Sequence, residues 1–158
     1  MHNLEVGPRQ HPEKVVPHFI TQALRDEPLP IHGDGHASRD WLYVEDHAEA
    51  IEALIDAPIE ALAGEVVNVA TGIDLSVGTI ADLVLEAVGE TGSTKVHVPE
   101  RLGQVDRHIG STDKMAALTG WRARTTFADG LEQTVAWYRE NEAWWRSGLG
   151  TARHVSSS

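Results

Sequence analysis

The chain has 158 residues, a formal net charge of −11 and no cysteine. Its length and its 41% hydrophobic fraction are typical of one soluble globular domain with a sizeable core. The acidic balance argues against a general binder of nucleic acid or anionic membrane, because both need a basic surface. The absence of cysteine excludes a disulfide framework and thiolate metal sites.

No apolar run approaches the roughly 18 residues of a membrane span, and the first residues do not resemble a signal peptide. We therefore expect a cytoplasmic protein that binds neither nucleic acid nor membrane. The composition of the last residues, ending in "TARHVSSS", predicts a disordered tail over 147–158.

Hydrophobic periodicity predicts helices and strands that alternate along the chain. The predicted helices span 12–26, 45–57, 76–89, 111–120 and 127–146, and the predicted strands span 28–33, 39–44, 65–70 and 95–99. Pro17 should kink the first helix, whereas Ser76 should cap the third and Gly89 should end it. The fourth helix should open at Ser111 or Thr112 and end at Gly120. The pattern indicates an α/β fold, although four short strands are few for a self-contained doubly wound sheet.

Two polar residues at strand positions leave two interpretations open. Asn68 lies within the apolar run "EVVNVA", where its amide is either satisfied by backbone or donated to a ligand at a strand end. Arg39 directly precedes Asp40, so it forms either a surface ion pair of little energetic value or a bidentate contact with phosphate.

The segment "ERLGQVDRHIGST" places Arg101, Arg107 and His108 in one glycine-containing loop. That loop is either solvated or an anion clamp, which so acidic a chain would need in order to hold a phosphate. The nine histidines show no HExxH spacing, so no metal site is expected. The adjacent Trp144 and Trp145 indicate packing or an interface rather than a stacking platform.

Several catalytic and cofactor motifs are missing from the sequence. It contains neither a GxGxxG nor a GxxGxxG turn before a helix, and no GxSxG elbow. Tyr43 and Tyr138 are followed four residues later by His47 and Glu142, so neither belongs to a Tyr-x-x-x-Lys pair. The residues therefore predict no catalytic group and no cofactor-binding turn in this chain.

An ordered set of blocks gives a more specific indication. In chain order these are "VGPRQ", "PEKVVPHFI", "PLPIHGDG", "RDWLYVEDHAEAI", "GEVVNVATG", "RLGQVDRHIGSTDK", "GW" and "FADGLEQTVAWYRENEAWW". Together they resemble the C-terminal half of the extended short-chain dehydrogenase/reductase family of nucleotide-sugar epimerases and dehydratases. The dTDP-glucose 4,6-dehydratases are the subgroup that the blocks resemble most.

The resemblance implies a fold and a division of labour. It implies the C-terminal portion of a Rossmann-like fold, with the N-terminal half that binds NAD and carries the catalytic tyrosine absent from this chain. Residues 1–146 would form the part that binds the nucleotide sugar, and NAD would not bind this chain by itself. A chain without its Rossmann half would expose apolar surface, so we expect either a homo-oligomer or a separate N-terminal half as partner.

The resemblance also implies which residues contact the nucleotide sugar. These candidate substrate-binding residues are Glu13, Lys14, Leu29, Pro30, Ile31, Arg39, Asn68, Arg101 and Gln104. The sequence departs from the family at Leu4 and Val6, where the family has Asn and Tyr, and at Gln104, where the dehydratases usually have His. A non-catalytic oligomeric module that has lost ligand binding is therefore the alternative function.

Overall fold

Short strands and helices alternate along the chain, as the sequence predicts. The computed structural model describes residues 4–151, with the side chains of residues 5–147. The strands of this part are β1 (Leu4–Val6), β2 (Leu29–His32), β3 (Ser38–Tyr43), β4 (Asp74–Ser76), β5 (Lys95–Val98) and β6 (Arg107–His108). The helices are α1 (Val15–Ala23), α2 (Val44–Asp56), α3 (Ile59–Leu62), α4 (Val77–Val88), α5 (Asp113–Thr119), α6 (Phe127–Glu140) and α7 (Glu142–Thr151).

Strand β3 is the centre of the larger sheet. Its second half pairs in parallel with β1, so that Val6 lies opposite Tyr43. Its first half pairs antiparallel with β4 and parallel with β6, which brings Ser76 and Arg107 to either side of Ser38. Strands β2 and β5 form a separate two-stranded parallel sheet. The sequence prediction of an α/β fold is confirmed.

Helices α1, α4 and α6 bury their apolar stripes against one another and against the strands. The core contains Phe19 and Ile20 of α1, Val84 of α4, and Leu131 and Tyr138 of α6. Burial of such side chains is the main favourable term in folding. Two aromatic residues of β3 also satisfy their polar atoms there: the Trp41 indole donates to the Leu75 carbonyl at 3.2 Å, and the Tyr43 hydroxyl bonds Gln133 at 3.1 Å.

The predicted helix ends of α4 and α5 are confirmed. The Ser76 hydroxyl accepts a hydrogen bond from the Thr79 amide at 3.1 Å, which satisfies one of the free donors of the first turn of α4. Gly89 and Gly120 follow α4 and α5 with φ of 71° and 73°. A side chain would be strained in that left-handed region, so glycine is the natural residue to end each helix.

The predicted strand at 65–70 is wrong. The segment is irregular, and β3 is paired instead with β4 and β6, two elements of three and two residues that the sequence did not predict. Val66 shows why the pattern misled, because its side chain is 81% exposed. The apolar run therefore lies partly on the surface, where its β-forming residues have no neighbouring strand to pair with.

Two predicted helices have different boundaries. Helix α1 begins at Val15 rather than at residue 12, so Pro17 falls in the first turn. An amide is unpaired in the first turn anyway, so this proline breaks no hydrogen bond and the expected kink has no cause. The predicted helix 127–146 divides at Asn141, whose φ of −117° and ψ of 38° are not helical.

Three further predictions concern the C-terminal tail, membrane spans and metal sites. Helix α7 continues past residue 146 to Thr151, and residues 152–158 of the predicted tail lie outside the described part. Within residues 4–151 no helix is long and apolar enough to cross a membrane. Nor does any cluster of three or more histidine, aspartate or glutamate side chains in the described part suit a metal ion.

Candidate functional site

Arg39 occupies the second position of β3 and its guanidinium is held by backbone carbonyls. Nη1 donates to the Ser38 carbonyl at 2.7 Å and to the Asp106 carbonyl at 3.5 Å. The side chain is half-buried, and among the described residues it has no carboxylate partner. The surface ion pair with Asp40 therefore does not form, and Nε and Nη2 keep their hydrogens for another acceptor.

The Asp40 carboxylate is turned instead toward two loops. Oδ1 accepts from the Thr71 amide at 2.9 Å and from its hydroxyl at 2.6 Å. Oδ2 accepts from the Gly72 amide at 2.9 Å and from the Gly110 amide at 3.2 Å. Because successive side chains of a strand point to opposite faces, Asp40 gathers these loops on the face away from Arg39.

A second carboxylate, Asp74, holds the base of the loop that follows β5. It accepts a bidentate pair from Arg107, with Nε at 2.9 Å and Nη2 at 2.8 Å, and a third bond from the Ser38 hydroxyl at 2.6 Å. The Arg107 guanidinium and this hydroxyl hold the pKa of Asp74 far below its usual value, and Asp74 raises the pKa of Arg107 in return. Arg107 is therefore committed to a structural pair rather than available as an anion clamp.

The loop between β5 and β6 brings two further candidates to this end of β3. The Gln104 amide donates to the Arg101 carbonyl at 3.2 Å and closes a turn through Gly103, whose φ is 78°. The Ser38 amide donates to the Asp106 carbonyl at 2.8 Å and attaches the loop beside Arg39. Arg101 is exposed and Gln104 is half-buried.

Asn68 lies in the irregular segment before Thr71, with an exposed side chain. Lys114 supports this segment by donating to the Val66 carbonyl at 2.8 Å and by pairing with Glu65. The side-chain amide of Asn68 has no hydrogen-bond partner among the described residues. It is therefore not satisfied by local backbone, which was one of the two interpretations of the sequence. The other interpretation, a contact with a ligand, stays a prediction.

The remaining candidates lie in two other places. Glu13 and Lys14 are exposed at the beginning of α1, where Lys14 is the N-cap residue. Leu29 and Ile31 point into the core and are 0% and 1% exposed, so of these three candidates only Pro30 presents a partly accessible side chain. The described hydrogen bonds join Arg39 to the loop of Arg101 through Asp106, and they join its neighbour Asp40 to the segment of Asn68. They do not join these five residues to that cluster.

Two strand-to-helix junctions, β3–α2 and β4–α4, do not suit a pyrophosphate. Helix α2 follows β3 directly and carries Glu45 and Asp46 in its first turn, which would repel a pyrophosphate. The first amides of α4 are already used, since Val77 and Gly78 donate to the carbonyls of Ala37 and Gly35 at 3.0 Å.

Solved structures with the same fold are nucleotide-sugar enzymes. A dTDP-glucose 4,6-dehydratase from Bacillus anthracis, in complex with NAD, matches with a TM-score of 0.82 and 33% identity, over 91% of this chain and 44% of that one. A UDP-glucose 4-epimerase from Thermotoga maritima, solved with UDP-glucose, matches with a TM-score of 0.78 and 30% identity, over 88% and 44%. The fold is thus that of the extended short-chain dehydrogenase class.

Sequence relatives agree. The family model described as GDP-mannose 4,6 dehydratase matches residues 2–134, and the chain belongs to that family. A dTDP-glucose 4,6-dehydratase of Streptomyces niveus is 39% identical over 139 residues, 88% of this chain and 40% of the relative. The low-salt glycan biosynthesis protein Agl12 of Haloferax volcanii is 41% identical over 132 residues, 84% and 41% respectively. The chain spans about two fifths of the length of these relatives.

Sequence reasoning missed the two carboxylates that hold the site together. Asp40 was considered only as an ion-pair partner of Arg39, and Asp74 was not considered at all. One signal was available: Ser38 and Asp40 alternate with Arg39 along a strand, which places two short polar side chains on the face opposite the arginine. The residues that they bind are too distant in sequence to have been found by spacing.

Proposed function

We propose that this chain is the nucleotide-sugar-binding portion of an NAD-dependent nucleotide-sugar 4,6-dehydratase or epimerase, and that it is not catalytic by itself. The observation that carries the proposal is the state of Arg39. This guanidinium is fixed by two backbone carbonyls, has no carboxylate partner among the described residues, and keeps Nε and Nη2 unbonded.

Such a guanidinium suits a diphosphate. Its remaining donors can form paired charge-assisted hydrogen bonds to phosphate oxygens, which are stronger than bonds between neutral groups. Because the carbonyls of Ser38 and Asp106 already fix the side chain, less conformational entropy is lost on binding. Arg101, Gln104 and Asn68 lie on the two loops anchored to the same strand, and in the proposal they complete the contact with the diphosphate and the sugar.

The relatives support the choice of ligand class. Their names specify dTDP-glucose and UDP-glucose as substrates, and NAD is bound in the Bacillus anthracis enzyme. In the proposal, NAD binding and catalysis belong to a Rossmann half outside these residues. Glu13, Lys14 and Pro30 are proposed to contact the nucleoside when that half is in place, and Leu29 and Ile31 to do so only through their backbone, because their side chains lie in the core.

Calorimetric titration of the purified chain with dTDP, UDP and NAD tests the proposal. We expect dTDP or UDP to bind and NAD not to bind. Arg39→Ala should weaken nucleotide binding at least about tenfold, since charge-assisted bonds contribute roughly 1.5–3 kcal/mol. The matched control is Arg146→Ala, which removes the same charge from an exposed ion pair with Glu142 on α7.

The control makes the outcomes distinct. Equal weakening by both variants would mean that only net charge matters, and the assignment of Arg39 to the diphosphate would be wrong. A folded chain that binds neither nucleotide would refute the proposal and favour the alternative, an oligomeric module without ligand binding.

Exposed isoleucines favour an association partner in either case. Ile51 and Ile55, one turn apart on α2, and Ile59 of α3 are 47%, 76% and 68% exposed. Exposed large apolar side chains close together in the chain of a small domain are typical of a contact surface. The proposed occupant is a second copy or a separate Rossmann half, and sedimentation of wild type and Ile55→Lys distinguishes them. If wild type is an oligomer and Ile55→Lys is a monomer, the occupant is a second copy. If wild type and the variant are both monomers, the result favours a Rossmann half as the occupant.

A further inference from the structure

We propose that Asp40 is a positioning residue for the nucleotide site, because its carboxylate fixes the segment that carries Asn68 and the segment after β6, the strand into which the loop of Arg101 and Gln104 leads. This inference rests on the proposed function, because a positioning role requires a ligand to position for. Asp40 itself faces away from Arg39 and would not touch the nucleotide.

The hydrogen bonds of Asp40 reach both loops. Thr71 and Gly72 stand three and four residues after Asn68, and both of their amides donate to the carboxylate. Gly110 lies two residues after β6, the strand into which the loop of Arg101 and Gln104 leads, and its amide donates to Oδ2 at 3.2 Å. Arg39 is the chain neighbour of Asp40. Asp40 therefore holds the Asn68 segment directly and, through the segment after β6, the strand that follows the Arg101 loop.

The two loops also pack directly on each other beneath the carboxylate. A Cβ atom added at Gly110 would lie 2.5 Å from the Cβ of Ala70, so the glycine permits the close approach of the two backbones. Ala70 is buried at this point. Two residues thus support the contact between the segments of Ala70 and Gly110. Gly110 leaves space for the close approach, and the Asp40 carboxylate accepts hydrogen bonds from both segments.

An amide cannot replace this carboxylate. Both oxygens of Asp40 accept from N–H or O–H donors, with two bonds on each. In Asp40→Asn one oxygen becomes an NH₂ group, which meets donors with a donor. If the NH₂ faces Gly72 and Gly110, the segment after β6 loses its bond to Asp40 and the Asn68 segment keeps only the Thr71 bonds. If it faces Thr71, the Asn68 segment keeps only the Gly72 bond. Either orientation weakens the attachment of the Asn68 segment to β3.

The chain offers a matched control in Asp46. Its carboxylate also accepts two backbone amides and one threonine hydroxyl, from Arg124 at 3.1 Å and Thr125 at 2.9 Å and 3.1 Å. It is buried and joins α2 to the segment before α6, which carries none of the candidate ligands. Asp46→Asn should therefore cost stability as Asp40→Asn does, but it should leave the nucleotide contacts in place.

The test compares these two variants of the full chain by three measurements: urea unfolding, amide hydrogen exchange and titration with dTDP and UDP. We expect both variants to be destabilised. Only Asp40→Asn should speed amide exchange at Thr71, Gly72 or Gly110. Only Asp40→Asn should lower the affinity for the nucleotide that binds wild type, by at least about tenfold. Thr71→Val removes one of the four bonds to Asp40, together with the two bonds between the hydroxyl and Ile73. It should give a smaller effect of the same kind, and it keeps the test possible if Asp40→Asn fails to fold.

Three results would overturn the inference. Unchanged exchange at all three amides would mean that Asp40 does not hold the loops. Equal nucleotide affinity in Asp40→Asn and Asp46→Asn would mean that the bonds are structural only. A wild-type chain that binds neither nucleotide would refute the proposed function and the link from Asp40 to a ligand together, while the exchange data would still show separately whether Asp40 anchors the loops.

Discussion

The burial of Trp145 gives a sharp test of where the core of this chain ends. Trp145 and Trp144 are neighbours on α7, but Trp145 is 1% exposed whereas Trp144 is 46% exposed. The Trp145 indole also donates to the Tyr138 carbonyl at 2.8 Å across the break at Asn141. Trp145→Ala and Trp144→Ala therefore remove the same side chain from opposite environments.

The expected costs follow from these environments. A buried aromatic side chain removes roughly 150–250 Å² from water, worth about 4–6 kcal/mol at about 25 cal/mol per Å². Tryptophan truncations in cores typically cost about 3–5 kcal/mol, so we expect about 4 kcal/mol for Trp145→Ala. Trp144 packs edge-to-face on Trp137 with ring centroids 5.1 Å apart. Losing that pair and a partly buried surface should cost only about 1–2 kcal/mol.

Urea unfolding followed by far-UV circular dichroism measures both changes, because fluorescence would be altered by the loss of a tryptophan in each variant. A difference in the free energy of unfolding of about 2–3 kcal/mol between the variants is the expected result. Equal costs, or a cost for Trp145→Ala below about 1.5 kcal/mol, would show that α7 is not part of the cooperative core.

Three further predictions concern single contacts. Gly130→Ala should destabilise by about 1–2 kcal/mol in thermal unfolding, because the new Cβ would lie 2.7 Å from the ring of Tyr43, and overpacking exceeds the gain of about 1 kcal/mol in helix propensity; a stabilised variant would contradict this. Ser76→Ala should cost about 1 kcal/mol in urea unfolding by removing the cap of α4, and no change would mean that water replaces the hydroxyl. Asp74→Asn should lower stability at pH 7. Since the folded state lowers the pKa of Asp74, its contribution is complete above its usual pKa of about 3.9 and is lost progressively below it. The difference between wild type and Asp74→Asn should therefore stay constant from about pH 5 to 8 and shrink toward pH 3, and a difference that grows on acidification would refute the assignment.

Much of the fold could be predicted because its signals are local. A stripe repeated at helical spacing identifies α4 and α6, and Ser76, Gly89 and Gly120 mark helix ends through the conformations that those residue types adopt. By contrast β4 and β6 contain three and two residues, too few for an alternating pattern. They exist because they flank β3, and that relation is set by tertiary structure rather than by their own sequences.

The candidate site divides in the same way. The ligand role of Arg39 was predicted through the family resemblance, because the block that begins at Arg39 matches the family pattern. Its supports could not be found by reading along the chain, because the Asp40 carboxylate meets Thr71 and Gly110, which are 31 and 70 residues away. A hydrogen bond between such distant residues leaves no periodic pattern in the sequence. Composition does not distinguish Asp40 from the other acidic residues of the chain.

The alternation of one short strand separates binding from stability at this site. Ser38 and Asp40 use one face of β3 to hold Asp74 and the two loops, which leaves Arg39 on the other face with donors to spare. The bonds of Arg39 to two carbonyls are partly exposed, so water can replace them. Arg39→Ala should therefore leave the free energy of unfolding within about 1 kcal/mol of wild type while it weakens nucleotide binding. Asp40→Asn should reduce both quantities, because the same four hydrogen bonds stabilise the chain and set the positions of the ligand contacts. If Arg39→Ala destabilised the chain as much as Asp40→Asn, the two faces would not be independent, and Arg39 would be a structural residue.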